Sequence, residues 1–165
     1  MVKQKPIILL NHKDGCISKE IYTIFQNSYQ KEADLIGIKN FPPLQRTKQN
    51  IQESNTQFWG LRQSEQLAAV VETRCIQRQL DIHSLVVNPS FFRQGLASYL
   101  LQFILINSNW TTAIVETAVA NQPAIKLYQK LGFIERKRWI PTHGIPKILL
   151  SITKPTSIAT HNSSL

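Results

Sequence analysis

Two stretches of the chain carry residues whose types and spacing could do chemistry. The first is Phe92-Arg93-Gln94-Gly95-Leu96-Ala97-Ser98, lying between the apolar run Leu85-Val86-Val87 and a run in which Leu96, Leu100, Leu101, Ile104 and Leu105 recur at helical spacing. Asn88-Pro89 closes the apolar strand, because proline donates nothing to a ladder and holds its predecessor extended. The first turn of a helix leaves backbone N–H groups unpaired and carries about half a positive charge, so such a turn can bind phosphate. Taken alone, the fragment fits a plain strand-to-helix turn better than a binding site. The second stretch runs from Asn121 to Phe133. Asn121 reads as a helix N-cap, Gly132 as the residue past the helix end, and Tyr128 lies two turns after Asn121 on the same face.

Together the two stretches resemble the GNAT superfamily of acyl-CoA-dependent N-acyltransferases. That family shows R/Q-x-x-G-x-G/A at a pyrophosphate turn and N-x-x-A-x-x-x-Y-x-x-x-G-F about one strand–helix unit later. Asn121, Ala124, Tyr128, Gly132 and Phe133 match the second pattern. Gly95 and Ala97 match the first, while Phe92 stands where the family usually has arginine or glutamine. The backbone cradle does not depend on that side chain.

The resemblance implies attack of a neutral amine on the thioester of acetyl-CoA, with three tasks for the protein. Backbone N–H groups of Gln94, Gly95, Leu96, Ala97 and Ser98 would hold the pyrophosphate, with Arg93 adding a charged contact. Backbone groups of Leu85, Val86 and Val87 would bind the pantetheine arm as an added strand, and Asn121 would lie beside that arm. Tyr128 would protonate the leaving thiolate; its other reading is an amphipathic core tyrosine. A lysine-like amine near pH 7 needs about 4–5 kcal/mol to lose its proton, so a general base is useful. Asp81 sits where some family members place that base, and an ordinary strand-end carboxylate is an equal reading of it. Asp81 and His83 share a strand face by period two, Glu116 lies near the end of the next strand and Glu72 on the preceding one. No metal-ligand spacing occurs.

These residues need elements to position them. Pro6–Asn11 reads as a strand, followed by a helix from about Ile17, with Ser18 as cap and Glu20 in its first turn, to Leu35 and Gly37. Phe41-Pro42-Pro43-Leu44 is expected as loop and Leu44–Glu53 as a short helix. Strands at Gln57–Arg62, Gln66–Gln77 and Leu80–Val87 form an antiparallel meander. The helix after Gly95, a strand at Thr112–Thr117, the helix after Asn121, and strands at Phe133–Ile140 and Ile145–Thr153 complete the order. The fold class is α/β: a mixed central sheet of about seven strands, passing from antiparallel to parallel, with four helices. In the family the fourth and fifth strands splay, and the acyl-CoA enters between them. The first two helices and their connection choose the acceptor there; Tyr29, Glu32, Asp34 and Phe41-Pro42-Pro43 occupy that region without a readable code.

With 165 residues and 42% hydrophobic content, the chain fits one globular domain over 1–154, with a disordered polar tail at 155–165. No apolar run approaches the ~20 residues of a membrane span, and Ile7–Leu10 is too short for a signal peptide, so a cytoplasmic location is expected. Cys16 and Cys75 fit free buried thiols and lie in neither motif, which disfavours an acyl-cysteine intermediate. The net charge of +9 suits a polyanionic coenzyme and a solvated surface; nucleic acid is a distant third reading, because only Arg136-Lys137-Arg138 is clustered. The rival functions are a longer acyl donor, a protein amine as acceptor, and a non-catalytic acyl-CoA-binding module.

Overall fold

The computed structural model describes residues 5–155. Of the tail expected at 155–165, residues 156–165 lie outside the described residues. The elements are β1 (Ile7–Leu10), α1 (Gly15–Ile36), a 3₁₀ turn (Pro42–Gln45), α2 (Lys48–Glu53), β2 (Gln57–Gln63), β3 (Gln66–Ile76) and β4 (Gln79–Val87). A second 3₁₀ turn (Pro89–Phe91) leads to α3 (Leu96–Asn107), β5 (Thr112–Ala118), α4 (Gln122–Lys130), β6 (Ile134–Trp139) and β7 (Lys147–Thr153). The seven strands form one sheet in the order β1-β2-β3-β4-β5-β7-β6. Only β4 and β5 run parallel.

Helices cover both faces of the sheet. Ile21, Ile24 and Phe25 of α1 and Ile51 of α2 pack on Phe58, Val70 and Val86. On the other face Leu100, Leu101 and Ile104 of α3 and Ile125 and Tyr128 of α4 pack on Val71, Ile82, Val115 and Leu150. Burial from both sides is why β3 and β4 carry apolar residues without strict alternation. The β2–β3 and β3–β4 hairpins turn through Ser64-Glu65 and Gln77-Arg78, all four with positive φ. Paired positive φ values match the twist of the flanking strands, here without glycine. Among the described residues no helix is long and apolar enough to cross a membrane.

Several local expectations need correction. α1 begins at Gly15, capped by Asp14, whose carboxylate accepts from the backbone N–H groups of Cys16 and Ile17. Ser18 is instead buried inside the first turns, donating to the Gly15 carbonyl, and Glu20 pairs with Arg62. The aspartate won because Asp14 is the residue still extended before the helix, the geometry a cap requires. Pro42-Pro43 opens a 3₁₀ turn rather than loop, since proline at the start of a helical turn sacrifices no hydrogen bond. The second helix shortens to Lys48–Glu53, behind a capping box between Thr47 and Asn50. Both cysteines are free but exposed, Cys16 on the first turn of α1 and Cys75 near the end of β3.

Candidate active site

The site begins with an irregularity in β4. Thr73 pairs with Ile82 but Glu72 pairs with Ser84, so His83 is an extra residue in β4. A bulge of this kind bends a strand and increases its twist. Bridges between β4 and β5 run from Gln79–Thr112 to Ile82–Val115 and stop there. Beyond that point β4 stays with β3 through Val87–Ala69, while β5 stays with β7 through Ala118–Lys147. The two parallel strands therefore part, and the β5-facing edge of Leu85, Val86 and Val87 has no strand partner. Asp81 and His83 still line one pocket, beside Glu116 and Lys147, as the period-two reading expects.

A buried polar network holds the bulge. Glu72 accepts two hydrogen bonds from Arg46, at 2.6 and 2.9 Å, and further bonds from Thr56 Oγ1 at 2.7 Å and Ser84 Oγ at 3.1 Å. Tyr29 Oη in turn donates to Ser84 Oγ at 3.0 Å. Burial pushes the Glu72 carboxyl up, but Arg46 and the two hydroxyls outweigh it and hold it below the usual carboxylate range. Glu72 is thus a structural anion, not a free base. Its signal in the sequence is one acid inside the apolar run of β3; Arg46 carried none, being 26 residues away.

The turn after β4 takes the conformation an anion site needs. Arg93 and Gly95 have positive φ, 63° and 72°, and Gly95 caps α3 without a side-chain bond. The first bond into the helix is Tyr99 N–H to the Gly95 carbonyl, so among the described residues the N–H groups of Leu96, Ala97 and Ser98 stand unpaired at the helix start. A Cβ on Gly95 would meet nothing within 4 Å, so the space before the turn is open. Gln94 accepts from Gln63 through its side chain.

Where β4 and β5 part lies a cavity of about 260 Å³. Tyr128, Asn121, Leu85, His83 and Glu116 line it, joined by Tyr29 and Glu32 of α1, Phe41-Pro42-Pro43, and His143 and Lys147. Asn121 Oδ1 caps α4 by accepting from the Ala124 N–H at 3.3 Å, and its side chain lies beside Glu32. Tyr128 is 5% exposed, its ring tilted against Phe133 at 5.6 Å. No hydrogen bond within the described residues takes its hydroxyl. Burial, then the neighbouring Tyr29 and Glu32, push that phenol well above its ordinary pKa.

The three proposed bases line one neighbouring pocket of about 330 Å³, together with Lys147, but differ in their partners. Asp81 lies before the strands separate, outside this cavity, bonded to Gln79 at 2.8 Å and near Arg74 at 3.9 Å. Glu116 reaches the cavity but pairs with Lys147 at 2.7 Å. His83, lifted outward by the bulge, is exposed at the cavity wall. Glu32, left without a role by its sequence context, lines the cavity as a carboxylate pushed upward: burial raises it, and the Asn121 side chain beside it lowers it less.

The fold is that of solved N-acetyltransferases. The ribosomal-protein-S18-alanine N-acetyltransferase of Escherichia coli superposes with a TM-score of 0.72, at 22% identity, over 98% of this chain and all of that one (100%). The PaiA N-acetyltransferase of Thermoplasma acidophilum, solved in complex with coenzyme A, gives 0.69 at 13% identity over 90% and 99%. A family model described as an acetyltransferase (GNAT) domain matches residues 27–153, and the chain belongs to that family. Among curated relatives, protein YqkA of Bacillus subtilis (strain 168) is 37% identical over 128 residues, which is 77% of this chain. This chain spans only 37% of the length of YqkA. The [ribosomal protein bS18]-alanine N-acetyltransferase of Escherichia coli (strain K12) is 30% identical over 108 residues, 62% of this chain and 73% of that enzyme.

Proposed function

We propose that this protein transfers the acetyl group of acetyl-CoA to a primary amine by direct attack within a ternary complex. The observation that carries the reading is the Tyr128 hydroxyl: buried, without a partner among the described residues, and lining the cavity where β4 and β5 separate. Acetyl-CoA supplies the activated thioester. The residues present fit its anionic part, because the open space before Gly95 faces unpaired N–H groups and no side chain of the described residues fills it. Arg93 and the Leu96, Ala97 and Ser98 amides would hold that end, and the unpaired β4 edge at Leu85–Val87 would hold the arm as an added strand.

Tyr128 keeps its proton at working pH, since burial raises the phenol, and gives it to the departing sulfur through Oη. Asn121, the cap of the same helix, would lie beside the arm. Both cysteines lie away from the cavity lining, which favours direct attack over an acyl-cysteine route. The test is thiol release from acetyl-CoA with an alanine-initiated peptide, spermidine and free lysine, the peptide being included because one relative is named for an alanine of bS18. Acceptor-dependent release is expected. Tight acetyl-CoA binding without release under any acceptor would leave a binding module instead.

A further inference from the structure

We propose that Glu32 is the receptor for the acceptor's ammonium group and takes its proton, which makes the acceptor a cationic amine that enters from the α1 side. The inference rests on the acetyl-transfer reading and adds a residue to it. Five ion pairs occur among the described residues, and they engage Glu72, Glu20, Asp81, Glu135 and Glu116. Glu32 has no such partner, although it is partly buried in the cavity wall. A buried carboxylate costs several kcal/mol to ionise unless a cation or hydrogen bonds compensate it. Here the protein supplies only the Asn121 side chain. The missing cation is one the substrate brings.

The surroundings agree. Tyr29 lies one turn earlier on α1, Tyr128 faces from α4, His83 from β4, Glu116 from β5, and His143 and Lys147 from β7 and the loop before it. Lys147 is held by Glu116, so it does not compete for Glu32. Burial raises the Glu32 carboxyl, which narrows its gap to an amine and makes it a better proton acceptor than an exposed glutamate. One ammonium proton passes to Glu32 and on to solvent. The freed nitrogen pair forms the C–N bond as the C–S bond breaks, and the thiolate takes the Tyr128 proton. The second nitrogen proton then restores Tyr128.

The experiment compares wild type, Glu32→Gln, Glu32→Asp and Glu116→Gln, using whichever amine of the panel above turns over. Glu32→Gln is expected to raise the acceptor KM about 10–100-fold, the loss of a hydrogen bond to a charged group, and to abolish the acid limb of the kcat/KM profile. Glu32→Asp should recover part of both. Calorimetric titration of the amine into the coenzyme A complex should lose affinity in parallel, while acetyl-CoA affinity and Tm stay near wild type. An unchanged acceptor KM and pH profile in Glu32→Gln overturns this inference alone. An effect of that size in Glu116→Gln with none in Glu32→Gln moves the role to Glu116 and also overturns it. Acetyl-CoA binding with no turnover by wild type on any amine removes the acetyl-transfer reading and this one with it.

Discussion

Arg46 and Glu72 meet in a two-pronged contact, 2.6 and 2.9 Å, between the segment before α2 and the middle of β3. The carboxylate is 2% exposed and the guanidinium 26%, with Arg46 also 5.7 Å from the ring centres of Phe25 and Phe58. This pair anchors the wall of the cavity, because Glu72 holds Ser84 and Ser84 holds Tyr29.

Removing the arginine leaves the buried carboxylate stranded. Arg46→Ala should cost about 3 kcal/mol in denaturant unfolding at neutral pH. The sign of the pH dependence should also change. In wild type Glu72 sits below the usual carboxylate range, so its contribution is complete above that range and lost as pH falls through the depressed value. Without Arg46 burial dominates and raises the group, so acidification should relieve the defect. A defect that stays constant between pH 7 and 4 would contradict the assignment.

Gly95 should be indispensable to coenzyme binding and dispensable to folding. Gly95→Glu places a side chain and a negative charge in the open space before the α3 N–H groups. Its positive φ costs any L residue about 1–2 kcal/mol, which Gly95→Ala shares. Calorimetry should show acetyl-CoA affinity abolished by the glutamate and reduced far less by the alanine. Equal losses would point to backbone strain alone.

Tyr128→Phe deletes a hydroxyl that makes no bond within the described protein and keeps the packing on Phe133. Stability should change little. Turnover should fall about 10²–10⁴-fold with acetyl-CoA affinity retained. Steady-state kinetics within threefold of wild type would return Tyr128 to a packing role.

The β3–β4 hairpin turns at Gln77 and Arg78 with φ of 49° and 63°. Replacing the pair by Asn-Gly, the residues this turn prefers, should stabilise by about 1 kcal/mol. A lower Tm in the double variant would mean that the side chains contribute more than the backbone strain costs.

The basic cluster of β6 is largely engaged within its own sheet. Arg136 donates to Ser151, Arg138 pairs with Glu135, and Lys137 sits over Trp139 at 4.9 Å. Binding to DNA should accordingly be weak, indifferent to sequence and steeply salt-dependent in gel shifts. Tight sequence-selective binding near physiological salt would overturn that expectation.

Much of this protein follows from local rules that act along the chain. Asn88-Pro89, Gly95, Asn121 and Gly132 punctuate the second half, because proline, caps and left-handed turns constrain only their neighbours. Helical spacing in α3 and α4 marks which faces are buried, and so places Tyr128 and Asn121 on one side. The cap of α1 was not decided by residue type, since Asp14 and Ser18 are both good caps and only the backbone conformation separates them.

What the tertiary structure decided lies where distant segments meet. The bulge at His83 depends on how β4 registers against β3, a pairing that no local rule along the chain fixes. The parting of β4 from β5 depends on each strand's stronger loyalty to its other neighbour. Glu32 comes into one cavity with Tyr128, which lies on another helix 96 residues later, and Arg46 finds Glu72 across the fold. Residue types and spacing show which groups could do chemistry. Burial and the charges that packing brings near determine which carboxylate is neutralised and which is left for a substrate.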